Sequence, residues 1–123
     1  NTLSVTANNC NAIYVGEDYG VSRSTATQWL NNKVPYVLNG SAYFDGSVVS
    51  LGTNTVIMVW NGEEIGLENG FPTAIFTSYR DQARGGNVGG GPIAPQNGDW
   101  VGIWDDSISD YVSAPNVFYD TDR

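Results

Sequence analysis

Short apolar and aromatic runs, separated by turn residues, dominate the hydrophobic pattern of this chain. Each run is four or five residues long and rich in β-branched or aromatic side chains, and Gly, Asn, Asp or Pro lies between most of them. Runs of this length and composition predict β-strands. The expected strands are Leu3–Ala7, Ala12–Val15, Val34–Leu38, Ser47–Leu51, Val56–Trp60, Thr73–Thr77, Trp100–Trp104, Ser109–Val112 and Asn116–Tyr119.

One segment has a helical pattern. Ser24 is placed to cap a turn or two that runs to Leu30, and Asn31, Asn32 and Pro35 follow it as helix-ending residues. About nine closely spaced strands and at most one short helix predict an all-β fold, an antiparallel Greek-key β-sandwich.

A pattern that occurs three times predicts how the strands are organised. In each copy a serine is followed ten positions later by an aromatic residue that ends an apolar run, and acidic residues come next. The copies are Ser4 to Tyr14 with Glu17 and Asp18, Ser50 to Trp60 with Glu63 and Glu64, and Ser109 to Tyr119 with Asp120 and Asp122. An internal repeat indicates a fold built by duplicating one β unit.

The repeat also divides the chain. At 123 residues the length suits a single domain. We expect one related unit over about 1–51, a second over 52–112 and a terminal half-repeat over 113–123.

Charge and composition narrow the possible partners. Thirteen acidic residues against five basic ones give a formal net charge of −8, which disfavours nucleic acid and anionic lipid and favours cations or neutral partners. No apolar run approaches the roughly 18 residues that span a bilayer, so we expect no membrane insertion. Because the sequence starts at Asn1 without Met, we expect a secreted, extracellular protein that has lost a signal segment.

Catalysis has little support in the sequence. The chain has no histidine, which excludes the usual serine triad and histidine-ligated zinc. Paired carboxylates are able in principle to hydrolyse glycosides, but 13 acidic residues make some pair inevitable. We therefore expect no enzymatic activity. The glycine-rich segment Arg84 to Gly91 leads into Pro92 and lacks the lysine of a phosphate-binding loop, so it predicts a surface loop.

Two acidic turns resemble the calcium signature of the βγ-crystallin family. They are Phe44 to Ser50, reading FDGSVVS, and Trp104 to Asp110, reading WDDSISD. The stretches Tyr14 to Gly20 and Trp60 to Gly66 are similar to the aromatic corner of that family. The first turn has Gly46 and Val49 in place of an acid and a hydroxyl, and Asp110 replaces the final serine of the second. The resemblance implies two Greek-key units that exchange calcium ligands.

Oxygen chemistry supports the same expectation. Ca²⁺ takes six to eight oxygen ligands at about 2.3–2.6 Å, from carboxylates, carbonyls, hydroxyls and water. The candidate metal ligands are Asp105, Asp106, Ser107, Ser109, Asp45, Ser47, Glu17, Asp18, Glu63 and Glu64. The alternative for each acid is that it caps the backbone of its own turn and binds no metal.

Three functions follow as hypotheses. The first is a secreted calcium-binding β-sandwich module with a structural or adhesive role. The second is a carbohydrate-binding, lectin-like module, because aromatic faces in polar loops can stack on sugars. Its candidate residues are Trp29, Trp100, Trp104, Tyr79 and Tyr111. The third is a filament or surface-layer subunit that pairs with further copies of itself by strand exchange between half-repeats.

Overall fold

The computed structural model describes residues 34–40, 42–45, 54–69, 74–86, 88–89 and 93–121 with their side chains. For four further strand segments, 13–15, 19–20, 27–29 and 49–51, it describes the backbone pairing. The predicted strand Leu3–Ala7 lies outside the described residues.

Strands are the predominant regular secondary structure of the described residues, beside one short helix, so the predicted all-β class is confirmed. Four of the strands, β2, β3, β5 and β8, lie where no strand was expected. The elements in chain order are β1 (Ile13–Val15), β2 (Tyr19–Gly20), β3 (Thr27–Trp29), β4 (Tyr36–Leu38), β5 (Ala42–Asp45), β6 (Val49–Leu51), β7 (Val56–Val59), β8 (Glu64–Glu68), β9 (Ile75–Ser78), α1 (Gln82–Gly85), β10 (Gly102–Asp105) and β11 (Asp110–Tyr111).

From β1 to β10, successive strands enter different sheets, and the chain returns to the same sheet one coil later. Sheet 1 has the order β1-β4-β7-β9, sheet 2 the order β11-β10-β8-β5-β2, and sheet 3 consists of β3 and β6. Ile13 pairs with Tyr36, Tyr36 with Ile57, and Ile57 with Phe76, all in parallel. Parallel strands that recur every 19 to 23 residues in sheet 1 describe a β-solenoid, in which each coil stacks on the previous one.

The predicted antiparallel pairing is wrong for the described strands. Seven of the eight described ladders are parallel, and the antiparallel one joins β10 to β11. Short β-branched runs are compatible with either pairing, and parallel partners lie too far apart in sequence for turn residues to reveal them. The Greek-key arrangement and its two units are not confirmed.

The threefold serine-to-aromatic pattern does not mark equivalent positions. Tyr14 pairs with Val37, and Val37 pairs with Met58, so the counterpart of Tyr14 two coils later is Met58. Trp60 instead lies beyond the end of β7, where its ring packs against Tyr79 at 4.5 Å. The actual repeat is the coil.

The core lies between the inner faces of sheets 1 and 2. Strand β8 shows why, because its burial alternates: Ile65 and Leu67 point inward and are 1% exposed, while Glu64, Gly66 and Glu68 point outward. Each fully buried large apolar side chain stabilises the fold by roughly 1.5–3 kcal/mol. The cluster comprises Tyr36, Leu38, Ala42, Phe44, Ile57, Val59, Ile65, Leu67, Ala74, Phe76, Trp100 and Ile103.

The segment between β9 and β10, residues 79–101, is longer than the connections between the other coils, and we call it the insertion. It contains α1 near its start. Asp81 caps α1 through the Arg84 amide, and its buried carboxylate accepts hydrogen bonds from Thr77 Oγ1 at 2.6 Å and Arg84 Nη1 at 2.8 Å. The hydrogen bond and charge of Asp81 raise the pKa of the Arg84 guanidinium. The predicted glycine-rich surface loop therefore starts inside a helix, and its Val88 is buried.

Asp99 anchors the other end of the insertion. Its carboxylate accepts a hydrogen bond from Ser78 Oγ at 2.6 Å and one from the Gln96 amide at 3.1 Å. It also pairs with Arg80 Nη1 at 3.2 Å. Two buried carboxylates thus fasten the insertion to the end of β9.

The helix expected from Ser24 to Leu30 is not formed over Thr27–Trp29, which is β3 and pairs with β6. Partnership with a parallel strand overrides the weak local helical pattern. In the C-terminal part of the described chain, the expected strand Asn116–Tyr119 contains one isolated bridge, Phe76 to Val117, and a second bridge, Trp100 to Asp120, lies just beyond it. Val112 and Val117 pack against the core.

Candidate functional site

The outward face of sheet 2 carries a row of aromatic side chains. The register places Tyr43 of β5 and Trp104 of β10 on either side of Gly66 of β8, and places Tyr111 of β11 beside Trp104. All three aromatic residues are partly exposed. We call Tyr43, Gly66, Trp104 and Tyr111 the aromatic row.

Gly66 makes room for the Tyr43 ring. A Cβ on Gly66 would lie 2.9 Å from Tyr43 Cδ1 and 3.6 Å from Cε1, so the side of the Tyr43 ring rests against the Gly66 backbone. On β10, Gly102 has a φ of 135°, a conformation that favours glycine. It pairs with Glu64, and the Tyr111 hydroxyl reaches across β10 to donate a hydrogen bond to Glu64 Oε1 at 2.5 Å.

Trp104 is held at two of its edges. Its ring meets that of Tyr111 edge to face, with centroids 5.1 Å apart and an interplanar angle of 79°, a favoured aromatic geometry. Its indole Nε1 donates a hydrogen bond to Asp106 Oδ1 at 2.8 Å. These contacts fix the indole orientation before any ligand arrives.

Carboxylates border the aromatic row on both sides. Glu64 lies at one side, and Glu68 and Asp106 lie at the other. Carboxylate oxygens accept hydrogen bonds from hydroxyl groups and repel anionic ligands. The row therefore combines apolar ring surface with hydrogen-bond acceptors and negative charge.

Asn69, which follows β8, bridges the described parts of the two segments that resemble the calcium signature, the end of β5 and the turn after β10. The side-chain Nδ2 of Asn69 donates a hydrogen bond to Asp45 Oδ1 at 3.0 Å, and its backbone N–H donates one to Ser107 Oγ at 3.3 Å. Asp105 Oδ1 accepts a hydrogen bond from the Ser107 amide at 2.8 Å. Asn69, which has a φ of 60°, was not among the predicted site residues.

The oxygens in these turns already face N–H donors, which is typical of carboxylates that cap turns. Asp45 and Asp105 are buried, whereas Asp106, Ser107 and Ser109 are exposed in the turn between β10 and β11. Within the described residues, no group of three or more His, Cys, Asp or Glu side chains is arranged to hold a metal. Two carboxylates and a hydroxyl supply only part of the shell that Ca²⁺ requires.

The structure does not bring the predicted calcium ligands Glu63 and Glu64 to Asp105. Glu64 pairs with Gly102 at the start of β10, while Asp105 pairs with Leu67 at its end, so the two acids lie at opposite ends of the strands. The remaining candidates, Glu17, Asp18 and Ser47, lie outside the described residues.

The predicted sugar-binding aromatics separate into two groups. Trp104 and Tyr111 lie together in the aromatic row. Trp100 is fully buried and donates its indole N–H to the Phe118 carbonyl, and Tyr79 is buried against Trp60, so neither presents a face to a sugar, contrary to expectation. The side chain of Trp29 lies outside the described residues.

Tyr43 belongs to the row but was missed. The run Ala42 to Asp45 reads Ala-Tyr-Phe-Asp and has no alternation that predicts a strand, so the importance of Tyr43 appears only with the parallel register opposite Gly66.

Comparisons with known proteins give no match to this chain among family models, curated proteins or solved structures. The βγ-crystallin resemblance stays a prediction. The described part of the chain also contains no helix with the length and apolarity of a membrane span.

Proposed function

We propose that this protein is a carbohydrate-binding module, and that its ligand is a neutral glycan bound on the aromatic row. The observation that carries the proposal is the row itself. Three partly exposed aromatic residues occupy neighbouring positions on the outer face of a sheet, and Gly66 leaves room for the Tyr43 ring.

The chemistry of the row suits a sugar. A pyranose ring has apolar C–H faces that pack on aromatic rings, and hydroxyl groups at its edge that donate hydrogen bonds. The rings supply the packing surface, and Glu64 and Asp106 supply acceptors at its borders. The net charge of −8 and the bordering carboxylates disfavour acidic sugars.

Pre-organisation supports the same proposal. Trp104 is held by Asp106 and Tyr111, and Tyr111 is held by Glu64. Side chains that are already ordered lose little conformational entropy when a ligand binds. A neutral sugar makes no ionic contacts, so rings that are fixed in advance favour its binding.

Isothermal titration calorimetry with a panel of soluble neutral polysaccharides tests the proposal. We expect Trp104→Ala to weaken binding at least about tenfold, the equivalent of about 1.4 kcal/mol. Trp60→Ala is the matched control, because Trp60 is also partly exposed but packs on Tyr79, away from sheet 2. The proposal fails if no member of the panel binds the unaltered protein, or if the two variants lose affinity equally.

Calcium binding is the second candidate function. The observation that favours it is the bridge through Asn69, which links Asp45 of the first signature-like turn to Ser107 of the second across the intervening strand β8. A bound cation would relieve repulsion between these turns and would raise the melting temperature, because it binds only the folded state. An Asp45→Asn and Asp105→Asn double variant should lose that response. A melting curve that is unchanged at millimolar calcium removes this candidate.

Assembly through sheet edges, secretion and the lack of enzymatic activity stay predictions. Light scattering over a wide concentration range, with and without calcium, tests assembly directly. A monomer under all conditions would contradict it.

A further inference from the structure

The orientation of Trp104 depends on the turn that follows β10. The Trp104 indole Nε1 donates its hydrogen bond to Asp106 Oδ1, two positions further along the chain. Strand β10 ends at Asp105, so this acceptor belongs to the turn and not to the strand. Any movement of the turn therefore moves the group that holds the indole.

Two hydrogen bonds attach this turn to the end of β8. The Asp106 backbone N–H donates to the Leu67 carbonyl oxygen at 2.9 Å, and the Asn69 backbone N–H donates to Ser107 Oγ at 3.3 Å. The attachments fall on two successive residues of the turn, one of which is the acceptor of the Trp104 indole. The position of Asp106 is therefore set by residues 67–69.

Asn69 is itself fixed from the other side of β8. Its side-chain Nδ2 donates a hydrogen bond at 3.0 Å to Asp45 Oδ1, and Asp45 is 1% exposed at the end of β5. Asn69 also has a φ of 60°, in the left-handed region, where Asn is enriched over most other residues. Both the side-chain amide and the backbone conformation suit Asn at this position.

We infer that Asn69 is a positioning residue of the aromatic row. It anchors the end of β8 to Asp45 on one side and to the turn after β10 on the other, and it thereby keeps Asp106 where the Trp104 indole can reach it. The connection runs from β5 through β8 to β10, the order of these strands in sheet 2. This inference rests on the proposed function and adds a residue that acts on the same site from outside the row.

The first measurement needs no ligand. Asn69→Asp replaces the amide donor by a carboxylate that faces the buried Asp45 carboxylate, and like charges repel. We expect the Trp104 indole N–H signal to shift in the ¹H–¹⁵N NMR spectrum, and its exchange with water to quicken about tenfold, because the turn opens more often.

Asn54→Asp is the matched control. Asn54 is also exposed and also has a left-handed φ, of 65°, but it precedes β7 of sheet 1. This variant gains the same charge and should leave the Trp104 indole signal unchanged. Thermal melting confirms that each variant is folded. If Asn69→Asp does not fold, Asn69→Gly takes its place, because glycine keeps the left-handed backbone and removes only the side-chain hydrogen bond.

A reversed pair separates the loss of this hydrogen bond from a general loss of stability. In the double variant Asp45→Asn and Asn69→Asp, the amide and the carboxylate change places, so a hydrogen bond can form between them in the opposite direction. The Trp104 indole signal should return toward its position in the unaltered protein.

Calorimetry with a β-1,4-linked glucose hexamer as the neutral probe then measures binding. Asn69→Asp should weaken binding about fivefold, because a Trp104 ring that is no longer held must be ordered when the ligand binds. Asn54→Asp and the reversed pair should bind with nearly the affinity of the unaltered protein.

The possible failures are distinguishable. If the Trp104 indole signal is unchanged in folded Asn69→Asp, or if Asn54→Asp changes it equally, the role of Asn69 is overturned while the carbohydrate proposal stands. The role is also overturned if the indole signal moves but the affinity for the hexamer does not fall. If neither the hexamer nor any neutral polysaccharide binds the unaltered protein, the proposed function itself is overturned.

Discussion

The outer faces of sheets 1 and 2 belong to the same solenoid but differ in solvent exposure. The outer face of sheet 1 is covered at Val37 and Met58, and that of sheet 2 is partly exposed at Tyr43 and Trp104. On sheet 1, Val37 and Met58 are 0% exposed and form a second small core with Val88 of the insertion. Gly85 of α1 approaches Met58 so closely that a Cβ would overlap its side chain. On sheet 2, Tyr43 and Trp104 at corresponding outward positions remain partly exposed.

The difference follows from side-chain chemistry. Val and Met have no polar group, so an outward face that carries them is stable only when it is covered. Tyr and Trp combine a large apolar surface with a hydrogen-bonding group and tolerate an interface with water. The insertion after β9 therefore serves sheet 1 as a cover, and sheet 2 keeps a face that a ligand can reach.

The largest expected loss of stability comes from weakening the attachment of the insertion that covers the outer face of sheet 1. Asp99→Ala leaves Arg80 and Ser78 without their buried acceptor, and removing one partner of a buried ion pair costs about 3 kcal/mol of unfolding free energy or more. Urea unfolding measures the loss. The exposed Asp110→Asn is the control and should change stability by less than about 0.5 kcal/mol. Equal stability of the two variants would contradict the role assigned to Asp99.

A pair of glycine substitutions compares the two faces directly. Gly85→Ala forces a methyl group into Met58, and overpacking of this kind costs about 1–3 kcal/mol. Gly66→Ala meets the Tyr43 ring, which can swing toward solvent, so we expect a loss below about 1 kcal/mol. Denaturant midpoints of the two variants, measured side by side, test the contrast. A greater loss at Gly66 would mean that the sheet 2 face is packed as tightly as the sheet 1 face.

The pattern of apolar residues predicted part of this fold well. The strands β4, β7 and β9 were expected from their apolar runs, and each lies within or beside its predicted range. Strand β8 was missed because Glu64 to Glu68 reads Glu-Ile-Gly-Leu-Glu, and Glu and Gly are depleted in strands. The fixed register and a buried inner face override that propensity.

Parallel pairing is the part that the sequence could not reveal. Tyr43 and Gly66 are 23 positions apart, and Ile65 and Ile103 are separated by the whole insertion, so no turn residue marks these partnerships. For the same reason the candidate site was predicted only in part. Trp104 and Tyr111 are close in sequence and were chosen together, whereas Tyr43 joins them only through the coil register.

The smallest expected effect lies within the aromatic row. Tyr111→Phe keeps the ring but removes the hydrogen bond to Glu64, which contributes about 1 kcal/mol to stability. The residue 111 ring is then held less firmly, so binding of a β-1,4-linked glucose hexamer should weaken severalfold, mostly through faster dissociation. Calorimetry measures the affinity, and surface plasmon resonance measures the dissociation rate. Tyr119→Phe is the control, since Tyr119 lies outside the row. Identical affinity and dissociation rate in the two variants would show that the Glu64 contact does not order the site.

The most direct test of the central claim is an NMR titration of the ¹⁵N-labelled protein with a β-1,4-linked glucose hexamer. The account predicts shifts that concentrate on Tyr43, Gly66, Trp104 and Tyr111, including the Trp104 indole N–H, while Met58 and Gly85 on the covered face do not move. Shifts that centre on sheet 1, or none at millimolar ligand, would contradict it.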